Sequence, residues 1–326
     1  MPDAHADSPA KATAVEVPTF HQLPLDPAHP PHAAWGVWGP ADQLGTLNHL
    51  THDRVVAAAK EVCSGVRISL NLPLKQSFLR PEFRPSPVHE VYSIGENMHD
   101  DRIHFNTQTS SQWDGFGHCG YATGPFYNGT TADQIQSGRS PIGIEAWSTQ
   151  GIVGRGVLID FAAYAQKHNL TDYDAAARSE ISLQQIHAVA RECQITFQPG
   201  DILVLRTGFV EACWSKSFDE QEVISQQSPG QFPGVSNSTG ILEWLWDSQF
   251  AAVCSDNPSF EAWPPKGLKL HEVLLAGFGM PIGELFDLEA LSAYCASSKR
   301  YTFMLASSPL NLEGGVASPP NALAIF

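Results

Sequence analysis

The sequence predicts an α/β fold built on a mixed sheet, and three observations carry that prediction. After residue 156, apolar stretches of strand length alternate with stretches of helical periodicity. Residues 202–205 read Ile-Leu-Val-Leu, continuously apolar as a strand covered on both faces is. Apolar residues make up 43% of the 326 and charged residues 16%, which allows a large core and excludes a disordered chain.

Residues 1–33 are rich in Pro, Ala and His and keep no periodicity. They are expected to form an irregular arm, loose or wrapped on a neighbouring subunit, ahead of a single domain over 34–326. Trp35-Gly-Val-Trp-Gly-Pro40 places aromatic anchors among turn residues. Thr51 is placed to cap a helix through Val55, Val56, Ala59 and Val62 that stops near Gly65. Ile68, Leu70, Leu72 and Leu74 alternate with other residues and predict a strand over 67–74. Residues 75–100 hold several prolines and read as a long loop over something functional. Strands follow at 156–160, 201–207, 251–254 and 301–306. Helices are expected at 161–168, 182–193, 240–248, 268–276 and 288–297; the second carries apolar residues at 183, 186, 189 and 190.

Lys and Arg total 19 against 34 Asp and Glu, a formal charge of −15. That argues against nucleic acid and anionic membranes as partners. No apolar run is long enough to span a bilayer, and the first residues lack the basic and apolar regions of a secretory leader. The six cysteines (63, 119, 193, 213, 254 and 295) contain no C-x-x-C pair. This speaks against a zinc ribbon or disulfide scaffold and for reduced thiols in the cytoplasm. The N-x-[ST] triplets at Asn128, Asn169 and Asn237 are then chance matches.

Residues 103–118 are the densest in chemistry. If 103–114 is extended, its period of two projects Gln108, Gln112 and Asp114 from one face. Gly115-Phe-Gly117 can then turn His118 back toward them. The stretch is either a metal or acid–base site or a polar strand edge with a solvated histidine. Gly115-x-Gly117-x-x-Gly120 matches a dinucleotide fingerprint by letter, but Phe116, His118 and Cys119 fill the loop and no helix pattern follows. The G-x-S-x-G elbow of serine hydrolases is absent; Ser236 reads as a helix cap. Cys119 beside His118 reads as packing, since neighbours along a turn point apart.

Further on, His271 heads an apolar helix and Glu284 follows Gly-Phe-Gly-Met-Pro-Ile-Gly. That acid is either a buried functional group or an ordinary loop charge. Ser255-Asp-Asn-Pro258 lies just beyond a strand end, where active crevices form in α/β folds, although an Asx-turn before proline is the simpler reading.

Taken together, these segments resemble the cyclase family, which includes bacterial kynurenine formamidase and isatin hydrolase. The family signature is H-x-x-x-H-x-D-x-P-x-H. Here Asp114 matches its Asp and His118 its last His, while Gln108 and Gln112 stand at the two earlier His and Phe116 at the Pro. His271-Glu-Val-Leu-Leu-Ala-Gly-Phe-Gly-Met-Pro-Ile-Gly-Glu284 resembles the later family segment, and Ser69–Leu74, Ser255–Pro258 and 314–322 also look alike. The resemblance runs from about residue 35 to the end and marks a divergent branch.

The resemblance implies a swivelling β/β/α fold with flanking helices, an oligomer (dimer or tetramer), and hydrolysis of a small cyclic or aromatic amide, lactam or ester by metal-activated water. Carried over, Asp114, His271 and Glu284 would be metal ligands, joined by Gln112, and His118 the acid–base residue, with Asp114 and Glu284 also in the catalytic set. Gln108, Trp35, Trp113 and Phe116 would face substrate, with Trp38 a further candidate wall. Glutamine is a poorer zinc ligand than imidazole, so one divalent ion, Mn²⁺ or Zn²⁺, is expected, with oxygen-rich ligation leaning toward Mn²⁺ or Mg²⁺. The alternative is a metal-free acid–base cyclase, lyase or isomerase in which the glutamines orient a secondary-metabolite-like substrate.

Overall fold

The computed structural model describes residues 16–75, 84–227 and 229–326. In chain order its strands are β1 (Arg67–Ser69), β2 (Val88–Gly95), β3 (Met98–His104), β4 (Gln112–Asp114), β5 (Ile152–Asp160), β6 (Glu180–Ile181) and β7 (Ile202–Arg206). They continue as β8 (Gly234–Val235), β9 (Ala252–Ser255), β10 (Ile282–Glu284), β11 (Thr302–Ser307), β12 (Ala317–Ser318) and β13 (Ala322–Ile325). Nine of them form one mixed sheet in the order β1-β13-β11-β5-β7-β9-β10-β4-β12. Its centre, β5-β7-β9-β10, is parallel, and the flanking pairs are antiparallel. The centre is buried on both faces: all five residues of β7 and all four of β9 are covered, which is why they read as unbroken apolar runs.

The crossovers between these strands include helices the periodicity predicts, together with Phe209–Trp214 and Phe218–Gln226, which it does not. Leu183–Glu192 buries Ile186, Val189 and Ala190 and opens with a capping box in which Ser182 and Gln185 satisfy each other's backbone amides. Thr239–Asp247 buries Ile241, Leu242, Leu245 and Trp246. The helix after His271 is wound as a π-helix over Glu272–Phe278 and buried along its length from Val273 on. Because the parallel strands run the same way, their carboxyl ends share one edge of the sheet, where Asp160, Arg206, Ser255 and Glu284 terminate β5, β7, β9 and β10. That edge is where an open α/β sheet leaves a crevice.

Several expectations change. The strand over 67–74 is confined to β1, with one further bridge at Asn71–Phe286. Residues 88–100 of the presumed long loop belong to the β2–β3 hairpin, which runs on to His104, with Asn97 at φ 59° in its turn; residues 76–83 lie outside the described residues. The prolines that suggested a loop stop at Pro87, before the hairpin begins. The described part of the arm, residues 16–33, is irregular yet packs on its own chain. Phe20 is buried, its amide donates to Asp247, and the Trp246 indole donates to the Pro18 carbonyl. No helix among the described residues is long and apolar enough to cross a membrane.

Candidate active site

Antiparallel pairing sets the centre of the site. In the β4–β10 register Gln112 lies opposite Glu284 and Asp114 opposite Ile282. Cross-strand partners share a face, and the Gln112 amide donates to Glu284 Oε2 at 2.6 Å. Asp114, two residues on, points the same way. Gly115 lets the chain leave the strand: a Cβ there would stand 2.8 Å from the Val316 carbonyl oxygen that accepts the Gly115 amide. The turn closes with the His118 amide donating to the Gly115 carbonyl, and it returns the ring so that Nε2 lies 3.8 Å from Asp114 Oδ2.

The extended reading of 103–114 is corrected. Strand β3 ends at His104 and β4 begins at Gln112. Gln108 reaches the site from a turn in which the Thr109 amide donates to the Asn106 carbonyl. From there its amide donates to Asp114 Oδ1, and its carbonyl accepts from Gln112 at 2.8 Å. The two glutamines therefore tie Asp114 and Glu284 into one network.

His271 enters from the head of the π-helix. Its Nε2 lies 3.0 Å from Glu284 Oε1 and 3.7 Å from Asp114 Oδ2. Its Nδ1 faces Glu261 Oε2 at 3.3 Å, and its backbone amide donates to the same oxygen at 3.0 Å. Sequence reasoning missed Glu261, which is wholly buried. The available signal was an acid among Phe260, Ala262 and Trp263, ten residues before His271. Gly234 permits its placement, since a Cβ there would strike the Phe260 and Glu261 backbone at 2.4 Å.

Three buried carboxylates, Asp114, Glu261 and Glu284, thus converge on one imidazole. Burial raises Glu284 to about 7, aided by the Asp114 charge and opposed by the His271 contact. Burial pulls His271 down, but Glu261 and Glu284 outweigh it and hold the ring well above the usual histidine range. His118 goes the other way. The Asp114 charge pulls it up, but burial, His271 and Arg84 together leave it below the ordinary value, hence neutral at neutral pH.

The cluster remains short of donors. Asp114 Oδ2, Gln112 Oε1 and Glu261 Oε1 are buried without a hydrogen-bond partner, which is costly unless something else satisfies them. One ligand atom each from Asp114, His271 and Glu284 lies within 4.8 Å of the others. This donor set fits a divalent ion: two carboxylates balance its charge and a free glutamine carbonyl adds a hard oxygen.

His118, His271 and Glu284 open into a cavity of about 240 Å³ whose apolar walls are Phe232, Pro258 and Trp263. This corrects the predicted walls. Trp113 is wholly buried, and the alternation that puts Gln112 and Asp114 in the site puts Trp113 on the opposite face, donating to Ser307. Phe116 packs into the core against Tyr127 and Trp147. Trp35 lies behind the π-helix, its indole donating to the Ala276 carbonyl at 2.6 Å, and Trp38 stacks edge-on with His49 and Trp246. Cys119 does line the cavity, but burial raises its thiol pKa, which disfavours a thiolate. Asp256 is a brace, accepting from the Thr207 and Gly208 amides, and burial pushes it up to about 6. Of residues 255–259, Pro258 and Ser259 reach the cavity. A wider groove of about 880 Å³ surrounds Arg206, but its arginine is already paired with Asp160, Glu211 and Glu289.

The family model named Cyclase matches residues 68–262. A crystal structure described as a novel cyclase is 30% identical, covers 90% of this chain and 99% of its own, and superposes with a TM-score of 0.80. Isatin hydrolase A from Labrenzia aggregata, bound to benzyl benzoate, is 16% identical over 83% of this chain and 97% of its own, with a TM-score of 0.56. Isatin hydrolase A from Ralstonia solanacearum is 15% identical over 85% and 98%, also at 0.56. These last two show a shared fold. No protein of curated function matches the sequence.

Proposed function

Since the chain belongs to the cyclase family, we propose that it is a metal-dependent hydrolase of a small cyclic or aromatic amide, lactam or ester. The observation that carries this is that the unpartnered, buried Oδ2 of Asp114 stands 3.7 Å from His271 Nε2, with Glu284 Oε1 3.0 Å from the same nitrogen. Asp114, His271 and Glu284 would hold one divalent ion, Mn²⁺ or Zn²⁺, with Gln112 as a carbonyl donor. When bound, such an ion supplies Lewis acidity, activating water and polarising the acyl oxygen.

The chain's own groups do the rest. Glu261 faces Nδ1 of His271 and so leaves Nε2 to point at Asp114 and Glu284. Gln108 holds Asp114 Oδ1 and leaves Oδ2 directed inward. His118, kept neutral, takes a proton from water as its oxygen bonds the acyl carbon, and hands a proton to the nitrogen or oxygen that departs. Phe232 and Trp263 seat an aromatic ring beside that bond. The isatin hydrolases share this fold and act on a cyclic aromatic amide by name, which supports the substrate class.

Treatment with a chelator is expected to abolish turnover across a panel of aromatic lactams, amides and esters, and Mn²⁺ or Zn²⁺ to restore it. Full turnover in protein shown metal-free by elemental analysis would instead favour acid–base catalysis without an ion. The observation favouring that second reading is that the Gln108 and Gln112 amides already donate to Asp114 and Glu284.

A further inference from the structure

We propose that the cavity selects an aromatic substrate carrying a negative charge away from the reacting bond, and that Arg84 and Lys269 receive that charge. The proposal rests on the hydrolase reading only for which end of the ligand faces Glu284.

The cavity has three chemically different sides. Glu284 and His271 form an acidic floor, and Phe232 and Trp263 form an aromatic slot. The slot is preorganised, because Phe232 and Trp263 exchange both backbone hydrogen bonds, each at 3.0 Å, and Phe232 is packed edge-on against Phe209. Arg84 and Lys269 make up the third side.

Neither acyl hydrolysis nor an ion on the floor, whose charge Asp114 and Glu284 would already balance, calls for two cations lining this side of the cavity. The Lys269 ammonium makes one contact, 3.1 Å to Glu272 Oε1, while its side chain is 43% exposed. An ammonium has three donors, so it retains capacity for an anion. Arg84 lies close enough for its charge to act on both His118 and Glu284.

The whole molecule carries −15 and repels an anion at a distance. Within a Debye length of about 8 Å, however, local charges decide, and the two charged side chains on this side of the cavity, Arg84 and Lys269, are positive. An anion docked on this side leaves its ring against Phe232 and Trp263 and its far end toward Glu284. The volume, about 240 Å³, suits a molecule of one or two rings.

The competing explanation is that Arg84 and Lys269 are only counter-ions for the buried carboxylates. Benzoate and its neutral isostere benzamide separate the two. They are titrated calorimetrically at low salt into full-length protein treated with chelator, so that no metal competes for the carboxylate. Benzoate is expected to bind on the order of tenfold more tightly, the scale of a charge-assisted contact.

That preference should vanish in the Arg84→Gln/Lys269→Gln double variant and persist in Arg84→Lys/Lys269→Arg. If the double glutamine variant does not fold, each single variant should lose part of the preference. Equal binding of the two ligands, no binding of either, or a preference that survives loss of both cations would overturn the proposal. A failed hydrolase reading looks different, with no turnover by metal-loaded enzyme while the benzoate preference stands.

Discussion

Two clusters of buried charge sit side by side along the carboxyl ends of the parallel strands. They differ in how their charges are satisfied. At the ends of β5 and β7, which are register partners, Arg206 meets Asp160 at 3.1 Å, Glu211 at 2.6 Å and Glu289 at 2.6 Å. Two of those carboxylates reach solvent, Glu211 at 64% and Glu289 at 27% side-chain exposure. Asp160 also caps the helix Phe161–Lys167 and accepts from Ser292. At the ends of β10 and β4, by contrast, three carboxylates buried almost completely share one histidine and leave oxygens without donors. The first cluster is an ion-pair network with its valences filled. The second is incomplete as protein alone, which distinguishes a site from a structural brace.

Asp114→Asn against Asp160→Ala gives the sharpest contrast. Asp114→Asn should lower kcat/KM by about a thousandfold or more and reduce bound metal in elemental analysis. In chelator-treated protein it should leave the melting temperature unchanged or raise it, because one of three crowded carboxylates is neutralised. Asp160→Ala should do the reverse, retaining metal while losing roughly 3 kcal/mol of stability in denaturant titration, through a lost cap and a weakened buried pair. Matching effects of the two variants would erase the distinction.

His118→Ala comes next. It should cut kcat by roughly a hundredfold to ten-thousandfold, with metal content and melting temperature preserved. Near-normal turnover would remove His118 from the chemistry and leave the metal cluster as the whole site.

Proton linkage is the smallest effect. Glu284 is held at about 7 in the folded chain against an ordinary 4.5. An acid that binds its proton more tightly when folded contributes its full stability below the unfolded value and loses it as pH climbs to the folded one. Relative to Glu284→Gln, chelator-treated wild type should therefore lose stability between about pH 4.5 and 7 and change little above. Across the same window metal affinity should rise, since the ion competes with that proton. A flat difference curve would place Glu284 outside the crowded cluster.

Much of this was legible in the residues. Strands buried on both faces advertise themselves as apolar runs, and helices with one wet face show a period of 3.6, so β5, β7, β9 and the helices Leu183–Glu192 and Thr239–Asp247 could be read directly, while three-residue β10 and the helices Phe209–Trp214 and Phe218–Gln226 were not. Asp114, His118, His271 and Glu284 were visible because each is a polar residue at a fixed place in a recognisable order. The walls were not. Trp113 and Phe116 are aromatic and near the ligands in sequence, yet strand alternation and the turn after Gly115 send them into the core, and Trp35 is held against the Ala276 carbonyl. Phe232, Trp263 and Glu261 come from segments far along the chain, and contacts such as the Phe232–Trp263 and Val235–Glu261 bridges bring them in.

By itself, then, the sequence determined the α/β class, the order of the central elements and the residues able to bind a cation, because local periodicity and side-chain chemistry are properties of short segments. The tertiary structure decided which faces those residues share, that three carboxylates meet one imidazole, and that cations and aromatic rings stand across from them. Those are consequences of strand register and of contacts between distant segments, and no local pattern encodes either.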